Sequence, residues 1–137
     1  MPEWAIVTFE GWVARGQVAA ILADGRAGLV VLKPVPHEMV TLPIKLFEYM
    51  AAGMPVIASD FPLWREIVEQ AQCGLLVNPT QVEDLVKAMQ WILDDPAEAQ
   101  AMGARGRRAV VETYNWDFEA VKLIDCYRAI APATRSA

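Results

Sequence analysis

Short apolar runs alternate with amphipathic stretches along most of the chain, and each change of period marks an element. Ala5-Ile-Val-Thr-Phe9 is a β-branched run that stops before Gly11, which predicts a strand. Residues 15–23 place Val18, Ala19, Ile21 and Leu22 at spacings that suit a short helix. Gly28-Leu-Val-Val-Leu32 is continuously apolar, as a parallel strand buried on both faces should be. Pro34, Pro36 and Pro43 then hold a loop rigid. Pro43 suits the first turn of a following helix, where a missing N–H costs nothing, and Gly53 suits the residue just past its end. Pro55-Val-Ile-Ala58 predicts a third strand, and Pro62 a helix through Trp64, Ile67 and Val68. Gly74-Leu-Leu-Val77 predicts a fourth strand, ended by Asn78-Pro79. Thr80 with Glu83 reads as a capping box for a helix through Leu93. Pro96 opens another helix, and Asn115 caps a last one that runs through Ile130. Residues 1–132 form one unit on this reading, with 133–137 a frayed tail.

Strands alternating with helices predict an α/β fold, a Rossmann-like parallel sheet flanked by helices. Ligands of such sheets bind beyond the carboxyl ends of the strands. Those ends are Glu10–Val13, Lys33–Pro43, Ser59–Pro62 and Asn78–Thr80. No repeat or low-complexity stretch interrupts the pattern.

Composition narrows the picture. Hydrophobic residues are 55% of the chain, far too many for a disordered segment. No apolar run reaches the roughly 18 residues that cross a bilayer. Met1–Glu10 lacks the basic patch of a signal peptide, so the cytoplasm is the expected location. A net charge of −5 argues against general nucleic-acid binding. Arg105-Gly-Arg107-Arg108 departs from that balance; it reads as the solvated face of a helix, with a membrane-surface or phosphate role as the sharper alternative. Cys73 and Cys126 stand far apart and read as buried small hydrophobes.

The chemistry concentrates in the loop of residues 33–43 and the helix after it. At about 100° per residue, Leu46, Phe47, Met50 and Ala51 share a core-facing sector, while Lys45, Glu48 and Ala52 share the opposite one. Lys45 and Glu48 therefore lie near a helix N-terminus at the sheet's carboxyl edge. That end offers free N–H groups and a positive dipole, Lys45 adds a cation for phosphate, and Glu48 can accept bonds from two vicinal hydroxyls. The plainer reading is a surface ion pair worth a few tenths of a kcal/mol, about 0.3. His37 is the only histidine and lies in the same loop, as a phosphate donor or as an ordinary loop residue. No Cys/His cluster or Asp-x-Asp pair suggests a metal, and adjacent Asp94 and Asp95 read as the polar end of a helix. Trp64, Trp91 and Trp116 read as packing residues, and Ser59-Asp60 as a turn or cap that can also face substrate.

The string Leu42-Pro-Ile-Lys-Leu-Phe-Glu-Tyr-Met-Ala-Ala-Gly-Met-Pro-Val-Ile-Ala-Ser-Asp60 resembles the donor-site segment of retaining GT-B glycosyltransferases, the glycosyl transferases group 1 or family 4 enzymes. Weaker similarities follow in order over nearly all of the chain: Phe9-Glu-Gly-Trp-Val13, Cys73-Gly-Leu-Leu-Val-Asn-Pro79, Met102-Gly-Ala-Arg-Gly-Arg-Arg108 and Tyr114-Asn-Trp116. The resemblance implies that the chain is part of the C-terminal, nucleotide-sugar-binding domain of a GT-B enzyme. Glu48 would bind the ribose hydroxyls and Lys45 would lie close to the phosphates. Backbone N–H groups around Thr41 and Leu42 would face the sugar or diphosphate, and Trp12 and Val13 would lie where the base docks. The donor would be a nucleoside-diphosphate sugar, UDP- or GDP-linked, with no bound metal or cofactor. The intact enzyme would transfer the sugar with retained configuration to an acceptor the sequence does not name, in a family that includes enzymes of cell-surface polysaccharide synthesis. It would be cytoplasmic, or peripheral to the inner face of a membrane.

Two departures qualify the resemblance. The family's earlier acidic residue, eight positions before the glutamate, is Val40 here, with Glu38 nearby. Family members also carry an N-terminal acceptor-binding domain and two further strands before the one that Ala5–Phe9 matches. In the strand order 3-2-1-4-5-6 those two lie between Ala5–Phe9 and Gly28–Leu32, so either these two strands pair directly or each exposes edges that invite a partner chain or a second copy. No catalytic acid or base is assigned. The chain by itself reads as an incomplete enzyme, and a non-catalytic nucleotide-binding or partner-docking module is the alternative.

Overall fold

The computed structural model describes residues 6–130. Its sheet has three parallel strands, β1 (Gly28–Val30), β2 (Val56–Ser59) and β3 (Gly74–Val77), in the order β1-β2-β3. Helix α1 (Arg15–Asp24) precedes β1; α2 (Pro36–Met39) and α3 (Ile44–Ala51) lead to β2, and α4 (Pro62–Ala71) leads to β3. Helices α5 (Val82–Asp94), α6 (Pro96–Glu112) and α7 (Trp116–Ile130) follow. Two crossovers stepping the same way along a parallel sheet place α3 and α4 on one face. Leu46 and Met50 of α3 meet Trp64, Ile67 and Val68 of α4 there, over Val30, Val56 and Ala58. Ile57 and Val77 face the other way, onto Ala88 and Ile92 of α5. Helix α6 spans both layers, with Ala99 in the second cluster and Ala109 and Val110 against the first.

Helix α6 can do this because it is thin where it crosses. A Cβ on Gly103 would lie 1.9 Å from the Gly53 carbonyl oxygen, and one on Gly106 would lie 3.0 Å from the Cys73 Cβ. Gly53 itself has φ +75 just beyond α3, the left-handed position expected of a helix-ending glycine. The basic run on α6 serves the same packing. Arg105 donates to the Gln72 carbonyl at 2.8 Å and to Glu98 at 2.6 Å, and Arg107 donates to the Ala51 carbonyl at 2.9 Å. Two of its three arginines thus satisfy carbonyls at the ends of α4 and α3, where a helix leaves acceptors unpaired.

Several expectations need correction. Ala5 and the 133–137 tail lie outside the described residues, but Ile6–Phe9 form no strand and their apolar side chains are exposed. A strand needs a ladder partner, and none stands on the outer side of β1 among the described residues. Strand β1 stops at Val30 rather than Leu32, because the Leu32 backbone bonds to a side chain instead of a neighbouring strand. Thr80 makes no capping box: its N–H and hydroxyl both donate to Asn78 Oδ1, at 3.0 and 2.8 Å, and α5 starts at Val82. Ala51 is exposed rather than facing the core. Cys73 is buried as expected, but Cys126 is exposed because α7 buries no residue against the other described elements. Trp116 is exposed for that reason, and Trp91 points outward from α5; only Trp64 of the three packs in the core. Asn115 does cap α7, accepting from the Asp117 and Phe118 N–H groups, and Asp95 caps α6 through the Glu98 N–H.

Candidate functional site

The carboxyl end of β1 and the N-terminus of α3 enclose a cleft of about 360 Å³, lined by Leu29, Val30, Val31, Leu32, Pro43, Ile44 and Lys45. Its place follows from the fold, since parallel strands aim their carboxyl ends at the N-termini of the helices that follow. The amphipathic face of α3 was read correctly at its centre. Leu46 and Met50 are fully buried, while Lys45 and Glu48 are exposed on the opposite side. The structure brings Lys45 to the cleft; Glu48, one turn further along, does not line it.

The loop between β1 and α3 is ordered by its own short helix, α2, which the sequence reading missed. Pro36 opens it, and Met39 packs against the core below. The loop is fastened at both ends by buried side chains of the β2–α4 segment. Ser59, fully buried, accepts a bond from the Leu32 N–H at 2.9 Å and donates to the Leu32 carbonyl at 3.0 Å. Trp64, also fully buried, donates from Nε1 to the Thr41 carbonyl at 2.6 Å. The Thr41 hydroxyl donates to the Glu38 carbonyl at 3.3 Å. The N–H groups of Thr41, Leu42, Ile44 and Lys45 find no acceptor among the described residues, so the segment presents donors toward the start of α3. Sequence held one signal for these anchors: a tryptophan on an apolar helix face carries an N–H that needs a partner once buried.

The remaining residues are placed less favourably. Val40 ends α2 and is 73% exposed, while Glu38 is half-buried within that helix. His37 is exposed, with Nδ1 4.0 Å from the Glu38 carboxylate. Trp12 is fully exposed and Val13 half-buried, in a stretch without regular structure; neither lines the cleft. Asp60 is engaged by Arg65, whose Nε donates to it at 2.7 Å, and this bond and charge raise the guanidinium above its ordinary pKa. Among the described residues no group of His, Cys, Asp and Glu is arranged to hold a metal ion, and no helix is long and apolar enough to cross a membrane.

The family model described as "Glycosyl transferases group 1" matches residues 4–109. This chain belongs to that family. Its members of this type are retaining glycosyltransferases of the GT-B class, as the central string suggested. Similar proteins include an MMP alpha-(1->4)-mannosyltransferase from Mycolicibacterium hassiacum, 33% identical over 84% of this chain and 27% of the relative. A GDP-mannose-dependent alpha-(1-6)-phosphatidylinositol monomannoside mannosyltransferase from Mycobacterium tuberculosis is 36% identical over 89% of this chain and 32% of the relative. A solved structure of sucrose-phosphate synthase from Thermosynechococcus elongatus superposes with a TM-score of 0.79 at 32% identity, covering 90% of this chain and 30% of that one. The α/β sheet and helices of this glycosyltransferase segment thus match part of a GT-B fold, and the chain spans about a third or less of its relatives' length.

Proposed function

We propose that residues 1–132 are the donor-binding part of a glycosyltransferase and take a nucleoside-diphosphate sugar at the carboxyl edge of the sheet. The observation that carries this reading is the cleft at the start of α3, lined by Ile44 and Lys45, whose backbone N–H groups are unpaired, with the unpaired N–H groups of Thr41 and Leu42 just before it in the chain. A helix N-terminus with a nearby cation favours a diphosphate, and free N–H groups bond its oxygens without rearrangement. Glu48, exposed on the Lys45 side of α3, accepts the ribose hydroxyls. The charge that develops on the leaving diphosphate is stabilised electrostatically by these groups, and no acid or base residue is assigned. Val40 supplies no carboxylate to the sugar.

The relatives guide the choice of base. One of them is GDP-mannose-dependent by name and another is a mannosyltransferase, which puts a GDP-linked sugar ahead of a UDP-linked one. The first of these acts on a phosphatidylinositol monomannoside, so a membrane-peripheral intact enzyme with a glycolipid or cell-surface glycan acceptor is consistent with the proposal. Acceptor contacts and part of the phosphate clamp come from an N-terminal domain or a partner chain. The exposure of Trp12 favours one second reading, a module that docks on a partner before any base site forms.

Calorimetric titration with GDP, UDP and ADP, on this chain and on Glu48→Ala, tests the proposal. Saturable binding of one nucleotide, lost in the variant, is expected. No binding of any at millimolar concentration overturns it for this chain and favours the docking reading.

A further inference from the structure

The loop that carries Thr41 and Leu42 follows β1 in sequence but is fastened by Ser59, the last residue of β2, and by Trp64 of α4. Ser59 bonds both polar groups of the Leu32 backbone, and Trp64 bonds the Thr41 carbonyl. The two anchored positions, Leu32 and Thr41, lie nine residues apart in the chain, so the anchors pin the first and last parts of one loop. Both side chains are fully buried, and a polar group at such a site is expensive to leave unpaired. We infer that Trp64 is a positioning residue for the donor site: its indole N–H fixes the Thr41 carbonyl and so sets the direction of the N–H groups at Leu42 and the start of α3.

The direction follows from peptide geometry. The Thr41 carbonyl and the Leu42 N–H belong to one planar unit and point oppositely. Holding the carbonyl toward the core at Trp64 turns the Leu42 N–H away from it. Trp64 is itself held rigidly, with its ring 4.7 Å from that of Phe61 at an interplanar angle of 57°. Fixed donors lose little on meeting a ligand, since their ordering is already part of the folded state.

This inference rests on the donor-site reading above, and its test separates the two. Hydrogen exchange is followed by NMR on the full chain, on Trp64→Phe and on Val68→Ala, and each is then titrated with GDP and UDP. Trp64→Phe keeps an aromatic ring and removes the N–H; Val68→Ala loosens the same core and leaves the bond in place. In the wild type the Trp64 indole N–H should exchange far more slowly than those of exposed Trp12 and Trp116. In Trp64→Phe the Met39 and Leu46 amides, which flank the anchored carbonyl, should exchange about tenfold faster, and the nucleotide dissociation constant should rise about tenfold, the size of one lost hydrogen bond. Rapid indole exchange in the wild type overturns the anchor. An unchanged dissociation constant in Trp64→Phe, or an equal rise in Val68→Ala, overturns the positioning role. If the wild type binds neither nucleotide, the donor-site reading fails and the positioning role with it, whereas the exchange rates still decide whether the anchor exists.

Discussion

At the scale of single residues, the face of a side chain separates binding from folding. Glu48 is exposed and its side chain makes no hydrogen bond to another described residue, its backbone carbonyl alone accepting from the Ala52 N–H, so Glu48→Ala should leave the melting temperature within about 2 °C of the wild type. Its loss should weaken nucleotide binding by about 1.5–3 kcal/mol, the usual worth of bonds to a charged acceptor. Calorimetry and thermal melting on the same sample check both halves; a melt lowered by many degrees would make Glu48 structural. Ser59 is the opposite case. Ser59→Ala strands the Leu32 N–H and carbonyl together, so the urea midpoint should fall by an amount equal to about 1–3 kcal/mol. Cys73 adds a pH dependence. Burial pushes its thiol from 9.0 to about 11, so the folded chain keeps a proton that the unfolded chain gives up above its own pKa. The unfolded state then binds fewer protons, and stability is full below pH 9 and falls as pH rises toward 11, by roughly 3 kcal/mol in all. Denaturant titrations at pH 8 and pH 10.5 should show the drop, and Cys73→Ala should flatten it. Residue roles of this kind were only half legible in the sequence. Periodicity alone sorted Leu46 and Met50 from Lys45 and Glu48, whereas the bonds of Ser59 and Trp64 span 27 and 23 residues and leave no local pattern.

At the scale of elements, apolar runs and prolines were reliable where a neighbour completed them. β3 and α4 begin and end close to where Gly74–Val77 and Pro62 placed them, because each is covered on the face its pattern buries. Ile6–Phe9 shows the limit: the run has strand chemistry, but pairing is a property of the partner and not of the run. Thr80 shows another, since local competition from Asn78 decided a cap that sequence spacing assigned elsewhere. The Gly-x-x-Gly of α6 is the most informative element, because its glycines read as family similarity and turn out to be a packing requirement. Gly103→Ala would force a methyl group into the Gly53 carbonyl, which is backbone and cannot swing aside. Helix propensity favours alanine by about 1 kcal/mol, but overpacking of this kind costs about 1–3 kcal/mol or more, so the variant should be less stable in a urea titration. A more stable Gly103→Ala would mean that α6 does not lie so close to the turn after α3.

At the scale of the whole molecule, the open side of the sheet governs behaviour in solution. Gly28 donates its N–H to the Pro55 carbonyl on the β2 side. Alternation along a strand therefore turns the N–H and carbonyl of Leu29 outward, where no described strand meets them. Leu29 is itself 43% exposed, and Val121, Ile124 and Tyr127 of α7 are exposed as well. A net charge of −5 opposes association, but an unpaired edge and exposed apolar surface favour it at short range. Light scattering should accordingly give an apparent mass that rises above the monomer with concentration. Leu29→Pro removes the outward donor without touching the β1–β2 ladder, since the bonds to β2 come from Gly28 and Val30. If that variant is monomeric at concentrations where the wild type associates, the edge is the contact. If it associates equally, the exposed face of α7 carries the contact instead, and a wild type that stays monomeric throughout would show that neither surface is sticky enough to matter.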